Sequence, residues 1–226
     1  MDEREGALVP LMDRYLEPAD RLNEVLFGLI MVLTFTLTAG FALGESPDAA
    51  RELLIATLGC NLAWGVIDGA MYVMGSLLER SRREREIARV RGAPDEATAF
   101  RLIAGYMEDT LAAFETETER ERLYRLILEA ARRAPPERMR IHREDVQGGI
   151  ASFFLVVFST IPAAIPFLVI EEPYHALRVS NFLMIALLFV VGFQWGRFAY
   201  VNRWASGFAF LGVGLALVGI AIALGG

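Results

Sequence analysis

Two carboxylates stand where carboxylates are costly. Glu24 heads an uncharged apolar run, Val25 to Gly44, and Asp68 is the single charge within Leu53 to Leu78. An ionisable group inside a membrane-length apolar stretch costs roughly 2.5–3.5 kcal/mol on insertion scales, so its presence suggests function. Further donors recur around these two at helical spacing. Asn61 precedes Asp68 by seven residues and Met71 follows it by three, on one face, while Met74 follows by six, on a flank; Met31 follows Glu24 by seven. Carboxylates, an amide and thioethers together suit a borderline divalent ion such as Fe²⁺ or Mn²⁺. Plainer roles stay open for each residue. Asp68 could make a structural hydrogen bond to an Asn or to Trp64, the methionines could pack, and Glu24 could be held by the helix dipole.

A second group of carboxylates is Glu108, Asp109, Glu115, Glu117, Glu119 and Glu121, with Arg120 the only cation among them. Glu108, Glu115 and Glu119 are seven and four residues apart, which places them on one face of a continuous helix. Like charges one turn apart are mildly destabilising, and a hard divalent cation binding several carboxylate oxygens would offset that. The alternative is a solvated face with Arg101, Arg122 and Arg125 as partners. Met107, Met139 and His142 are soft donors nearby that also suit packing or surface positions.

The elements that position these residues follow from the distribution of charge. Hydrophobic residues make up 54% of the 226 and charged residues 22%, with a mean hydropathy of +0.39; that balance is too apolar for disorder, which needs low hydrophobicity. An apolar run of about 18 or more residues crosses a bilayer as a helix. Val25 to Gly44, Leu53 to Leu78, Gly148 to Ile170, Val179 to Gly196 and Ala205 to Gly226 qualify, which predicts five spans. The first is too long for a signal-peptide core, follows 23 mostly polar residues and lacks an A-x-A-like site after it, so it reads as a retained span. Pro162 and Pro166 predict a kink in the third span. Gly207, Gly212, Gly214 and Gly219 predict close helix approach in the fifth.

Arginine sets the orientation. All 22 basic residues are Arg, and five spans place 20 of them on one side and Arg51 and Arg178 on the other. Positive loops stay cytoplasmic. The predicted organisation is an all-α integral membrane protein. Residues 1–23 form a cytoplasmic N-terminal segment, 24–78 the first two spans, 79–147 a cytoplasmic amphipathic helical domain, and 148–226 the last three spans, with the C-terminus on the opposite side.

Within the insert, Glu79 to Arg91 extends the second span and stops near Gly92-Ala93-Pro94, and Asp95 is placed to cap the next helix. Phe100, Ile103, Leu111 and Phe114, then Leu123, Leu126, Ile127 and Ala130, recur at helical spacing. Pro135-Pro136 ends that run, and a short helix over Glu137 to Gln147 is predicted to lead into the third span. A domain this small is expected to pack on a second copy or on the membrane ends.

Several function classes drop out. A single cysteine, Cys60, excludes a disulfide scaffold and a Cys-based zinc site. A net charge of −6 argues against nucleic acid as a partner. No H-E-x-x-H, G-x-S-x-G or phosphate loop is present, and the two histidines, His142 and His175, fall on opposite sides of the predicted topology. The reading is therefore not an enzyme, and no permanently bound cofactor is expected.

Local stretches and element order point to one family. Glu24-Val-Leu-Phe-Gly28 is similar to the E-[IV]-[VL]-x-G opening of the first span of the vacuolar iron transporter family. Asp68-Gly69-Ala70-Met71-Tyr72-Val73-Met74-Gly75 resembles its A-G-A-x-S-M-x-x-G stretch, and Ala151-Ser152-Phe153 through Pro162 and Pro166-Phe167 resembles its A-S-x-x-S-F…P-L-x-P-F third span. Two spans, a carboxylate-bearing helical insert and three further spans match its topology. The resemblance implies a homodimeric, proton-coupled exporter of Fe²⁺, Mn²⁺ or Zn²⁺ from the cytosol. It places metal at the family's first-span Glu (Glu24) and second-span Met (Met74) and at glutamates of the cytoplasmic helices. The expected set is Glu24, Asp68, Met71, Met74, Glu108, Glu115 and Glu119. Two departures stand out. The family's first-span N-D-G falls on Ile30-Met31-Val32, and the stretch after the second span is rich in Arg where the family is rich in Glu. They leave open a second role, a non-transporting membrane scaffold whose insert docks a partner.

Overall fold

The computed structural model describes residues 16–42, 49–107, 116–136 and 138–223. A chain dissolved in hydrocarbon must satisfy its backbone polar groups internally, and among the described residues the chain forms helices and no strand. In order they are α1 (Pro18–Ala42), α2 (Ala49–Arg91), α3 (Glu96–Tyr106), α4 (Glu117–Arg133), α5 (Arg143–Ser159), α6 (Ile161–Val169), α7 (Pro173–Phe198) and α8 (Arg203–Ala223). Four stretches are long and apolar enough to cross a membrane: Leu54–Arg91, Arg143–Val169 (α5 with α6), Pro173–Phe198 and Arg203–Ile220. They correspond to the predicted second to fifth spans. The predicted first span falls on α1, and its last residues, 43 and 44, lie outside the described ones. Large apolar side chains such as Leu168, Val169 and Phe182 are exposed. Water would penalise such a surface, and a bilayer does not.

The third span breaks where its prolines predict. α5 ends at Ser159, Thr160 forms a turn, and α6 restarts with Pro162 in its first turn and Pro166 inside it. The hydroxyls of Ser159 and Thr160 donate to the carbonyls of Val156 and Val157, and Ser180 Oγ of α7 donates to Ala163 O at 2.9 Å. Side chains thus supply hydrogen bonds around the break.

The chain divides into two compact units, at Val73/Met74 and at His142/Arg143. In the first, α1 presents Leu29, Val32, Leu33 and Leu37 to Ala163 of α6 and to Met184, Leu188 and Val191 of α7. That spacing is one face of a helix. Buried Thr36 donates from Oγ1 to Asn181 Oδ1 at 2.7 Å, tying α1 to α7. Of the small residues in α8, Gly207 lies where an added Cβ would sit 2.7 Å from the Phe189 ring, whereas Gly212 and Gly219 face open space.

In the second unit, Val90 of α2, Ala99 and Ile103 of α3, and Tyr124, Leu128 and Ala131 of α4 form the core. Asp95 caps α3 as predicted: its Oδ1 accepts from Thr98 N–H at 2.7 Å. Three expectations are corrected. Leu126 and Ala130 are exposed, because α4 turns the stripe Tyr124–Leu128–Ala131 inward. The acidic run is not one helix, because Thr116 takes extended backbone and caps α4, accepting from Glu119 N–H at 3.3 Å. No helix covers 138–142, where Arg80 Nη1 donates to Arg140 O at 3.0 Å and Arg140 Nε donates to His142 Nε2 at 3.3 Å, so side chains take up the local polar groups.

Candidate functional site

The site lies in the first unit, where α1, α2 and α5 meet. Along α2, Thr57, Asn61, Gly65 and Gly69 are buried, a repeat of four that defines the inward face. Along α5 the buried residues are Asp145, Gly148, Gly149, Ser152, Val156 and Ser159. The two helices touch backbone to backbone. A Cβ at Gly69 would lie 2.6 Å from Gly149 O, and one at Gly149 would lie 2.6 Å from Gly69 O, so neither position tolerates a side chain. Gly28 of α1 sits against the Ser159 side chain and the Val156 carbonyl, and the Tyr72 ring covers Gly148.

This crossing brings Asp68 to Ser152, whose hydroxyl donates to Asp68 Oδ2. Glu24 of α1 lies beside both, within reach of the Asp68 carboxylate and the Ser152 hydroxyl. Two carboxylates side by side repel unless a proton or a cation lies between them, so the pair is suited to take up either. Asn61 is 1% exposed on the same face of α2. Its Nδ2 donates to Val156 O at 2.8 Å, and its Oδ1 is buried without a hydrogen-bond partner among the described residues. Asp145 is 5% exposed, two turns before Ser152. The arrangement offers carboxylate, hydroxyl and amide oxygens, which suit a hard or borderline cation.

The other predicted residues are placed as follows. Met71 and Met74 are 58% and 59% exposed, in company with exposed Ile67 and Leu78. Met31 is half-buried on α1. Glu119 is exposed in the first turn of α4, where the dipole favours acids, and Glu121 pairs with Arg125 at 3.7 Å. Arg101 donates to Thr98 Oγ1 at 3.0 Å. Glu108 and Glu115 lie outside the described residues. Among the described residues, no three His, Cys, Asp or Glu side chains converge on one point.

Sequence reasoning missed Ser152 and Asp145 as site residues. Their signal was present: Asp145, Gly148, Gly149 and Ser152 lie at intervals of three, four and seven, with the small residues marking a close crossing. The capping pattern at Thr116–Glu119 (Thr-x-x-Glu) likewise explains part of the acidic row without any ligand.

Long apolar helices with exposed aliphatic surface, crossing at glycines around buried oxygens, define a multi-pass helical membrane protein. The VIT family profile matches residues 31–226, and the chain belongs to the VIT family, a family of membrane metal-ion transporters. The match begins after the Glu24–Gly28 stretch, so Glu24 enters the site on geometry. No curated protein matches the chain.

Proposed function

We propose that this protein moves a divalent ion of the Fe²⁺, Mn²⁺ or Zn²⁺ class out of the cytosol in exchange for protons, as a homodimer with five spans. The observation that carries the reading is the Glu24–Asp68–Ser152 cluster. Asp68 and Glu24 take the ion and release the proton between them, Ser152 orients Asp68, and Asn61 Oδ1 is a spare oxygen two turns away. Met71 and Met74 are exposed, as residues completed by a second copy would be. Glu119, with Glu108 and Glu115, would gather the ion at the cytoplasmic face. The arginine count supports the orientation, with the N-terminus and residues 79–147 cytoplasmic and the C-terminus opposite. Asp68 takes over, one helix away, the role of the acid that Ile30-Met31-Val32 lacks.

The test is Mn²⁺ movement driven by a pH gradient in vesicles of the reconstituted full chain. Wild type is expected to transport, and Asp68→Asn to abolish transport while inserting normally. The absence of the first-span acid favours the scaffold reading, and a wild-type chain that moves no ion under any gradient would establish that reading instead.

A further inference from the structure

The turn joining α7 to α8 has features that neither the fold nor ion transport requires. α7 ends in a Schellman-type closure: Ala199 N–H donates to Trp195 O at 3.0 Å and Val201 N–H to Gly196 O at 3.2 Å. The residue after the C-cap in such a closure is usually glycine, because the backbone turns left-handed there. Here it is Tyr200, at φ 55. Its side chain is 97% exposed, so no packing compensates the unfavourable conformation. A strained, unburied aromatic residue points to a role outside the fold.

Two cations flank it. Arg197 and Arg203 line an open cavity of about 470 Å³ together with Gly196, Phe198, Tyr200 and Val201. That volume lies in the range of small-ligand sites. A Cβ at Gly196 would lie 2.9 Å from Arg203 Cα, so the glycine lets the ends of α7 and α8 approach closely. Neither arginine makes an ion pair or hydrogen bond among the described residues, and the sequence has no carboxylate after Glu172. Trp204 packs on Phe193 and Phe189 yet stays exposed, as aromatic residues do at headgroup depth.

We propose that this turn is a binding site for the headgroup of an anionic phospholipid. The guanidinium forks of Arg197 and Arg203 grip the phosphate, and Tyr200 and Trp204 lie along the glycerol and upper chains. The orientation under Proposed function puts the turn in the cytoplasmic leaflet, where anionic lipids concentrate.

Native mass spectrometry of the full-length protein, titrated with phosphatidylglycerol against phosphatidylcholine, measures the preference. Two surface cations set the loss in Arg197→Gln/Arg203→Gln at roughly 30-fold, whereas Arg178→Gln, at the other end of α7, leaves the preference unchanged. An undiminished preference in the double variant overturns the proposal. Displacement of the lipid by equimolar inorganic phosphate would assign the site to free phosphate and overturn it too. Should the double variant fail to fold, a photoactivatable phosphatidylglycerol decides on wild type: adducts within residues 196–204 are expected, and their absence refutes the site.

Discussion

The protein carries two groups of carboxylates, and they live in different solvents. Glu24 and Asp68 lie against each other and against Ser152 at a crossing of membrane helices. Glu117, Glu119 and Glu121 lie along the start of α4, exposed to water. The second group is held in place without any ion: Glu117 and Glu119 sit in the first turn, Glu119 N–H is capped by Thr116, and Glu121 faces Arg125. Exposed pairs of this kind contribute little. The first group meets the Ser152 hydroxyl at a crossing where the Gly69–Gly149 contact lets the backbones touch. Number of acids is therefore a poor guide to an ion site here; what surrounds them decides.

Three substitutions sharpen this contrast. Asp68→Asn has the largest expected effect, complete loss of pH-driven Mn²⁺ transport in vesicles, whereas Glu119→Gln in the same assay leaves transport running. Gly69→Ala comes next. Its Cβ would meet Gly149 O at 2.6 Å, and forcing the helices apart is expected to destabilise the first unit by about 1–3 kcal/mol, read as a lower thermal midpoint in detergent. An unchanged midpoint would show that the crossing is not tight.

The smallest effect is at Asp95. The Thr98 N–H, with a lesser contribution from the Arg101 charge, holds its carboxyl below the ordinary value. A depressed folded-state value means the stabilisation is present above the unfolded carboxylate range and lost as pH falls through the folded value. Asp95→Ala is therefore expected to raise hydrogen exchange in the first turn of α3 near about pH 7, with the difference from wild type shrinking near about pH 3. A difference independent of pH would remove the charge from the cap.

Much of the membrane part was readable in the sequence because lipid demands long uncharged runs and leaves prolines conspicuous. The turn at Thr160, the extent of α2 through Arg91 and the Asp95 cap all follow from residue type. The insert was harder. Tyr124, Leu128 and Ala131 face inward where Leu126 and Ala130 were expected, since several stripes of a charged amphipathic helix are nearly equally apolar and packing against Val90 and Ile103 chooses among them. The site was half visible. Asp68 and Glu24 are conspicuous as charges in apolar surroundings, but Ser152 is an ordinary small polar residue until the Gly69–Gly149 contact places it against Asp68. Tertiary contact, not local pattern, selected it.

The account's central claim is that the ion passes through the Glu24–Asp68–Ser152 cluster. Crystals of the full chain soaked in Mn²⁺ and measured at a wavelength where manganese scatters anomalously test this directly. A peak within coordination distance of the Asp68 and Glu24 carboxylates is predicted; peaks confined to the acidic start of α4, with none at the helix crossing, would contradict it.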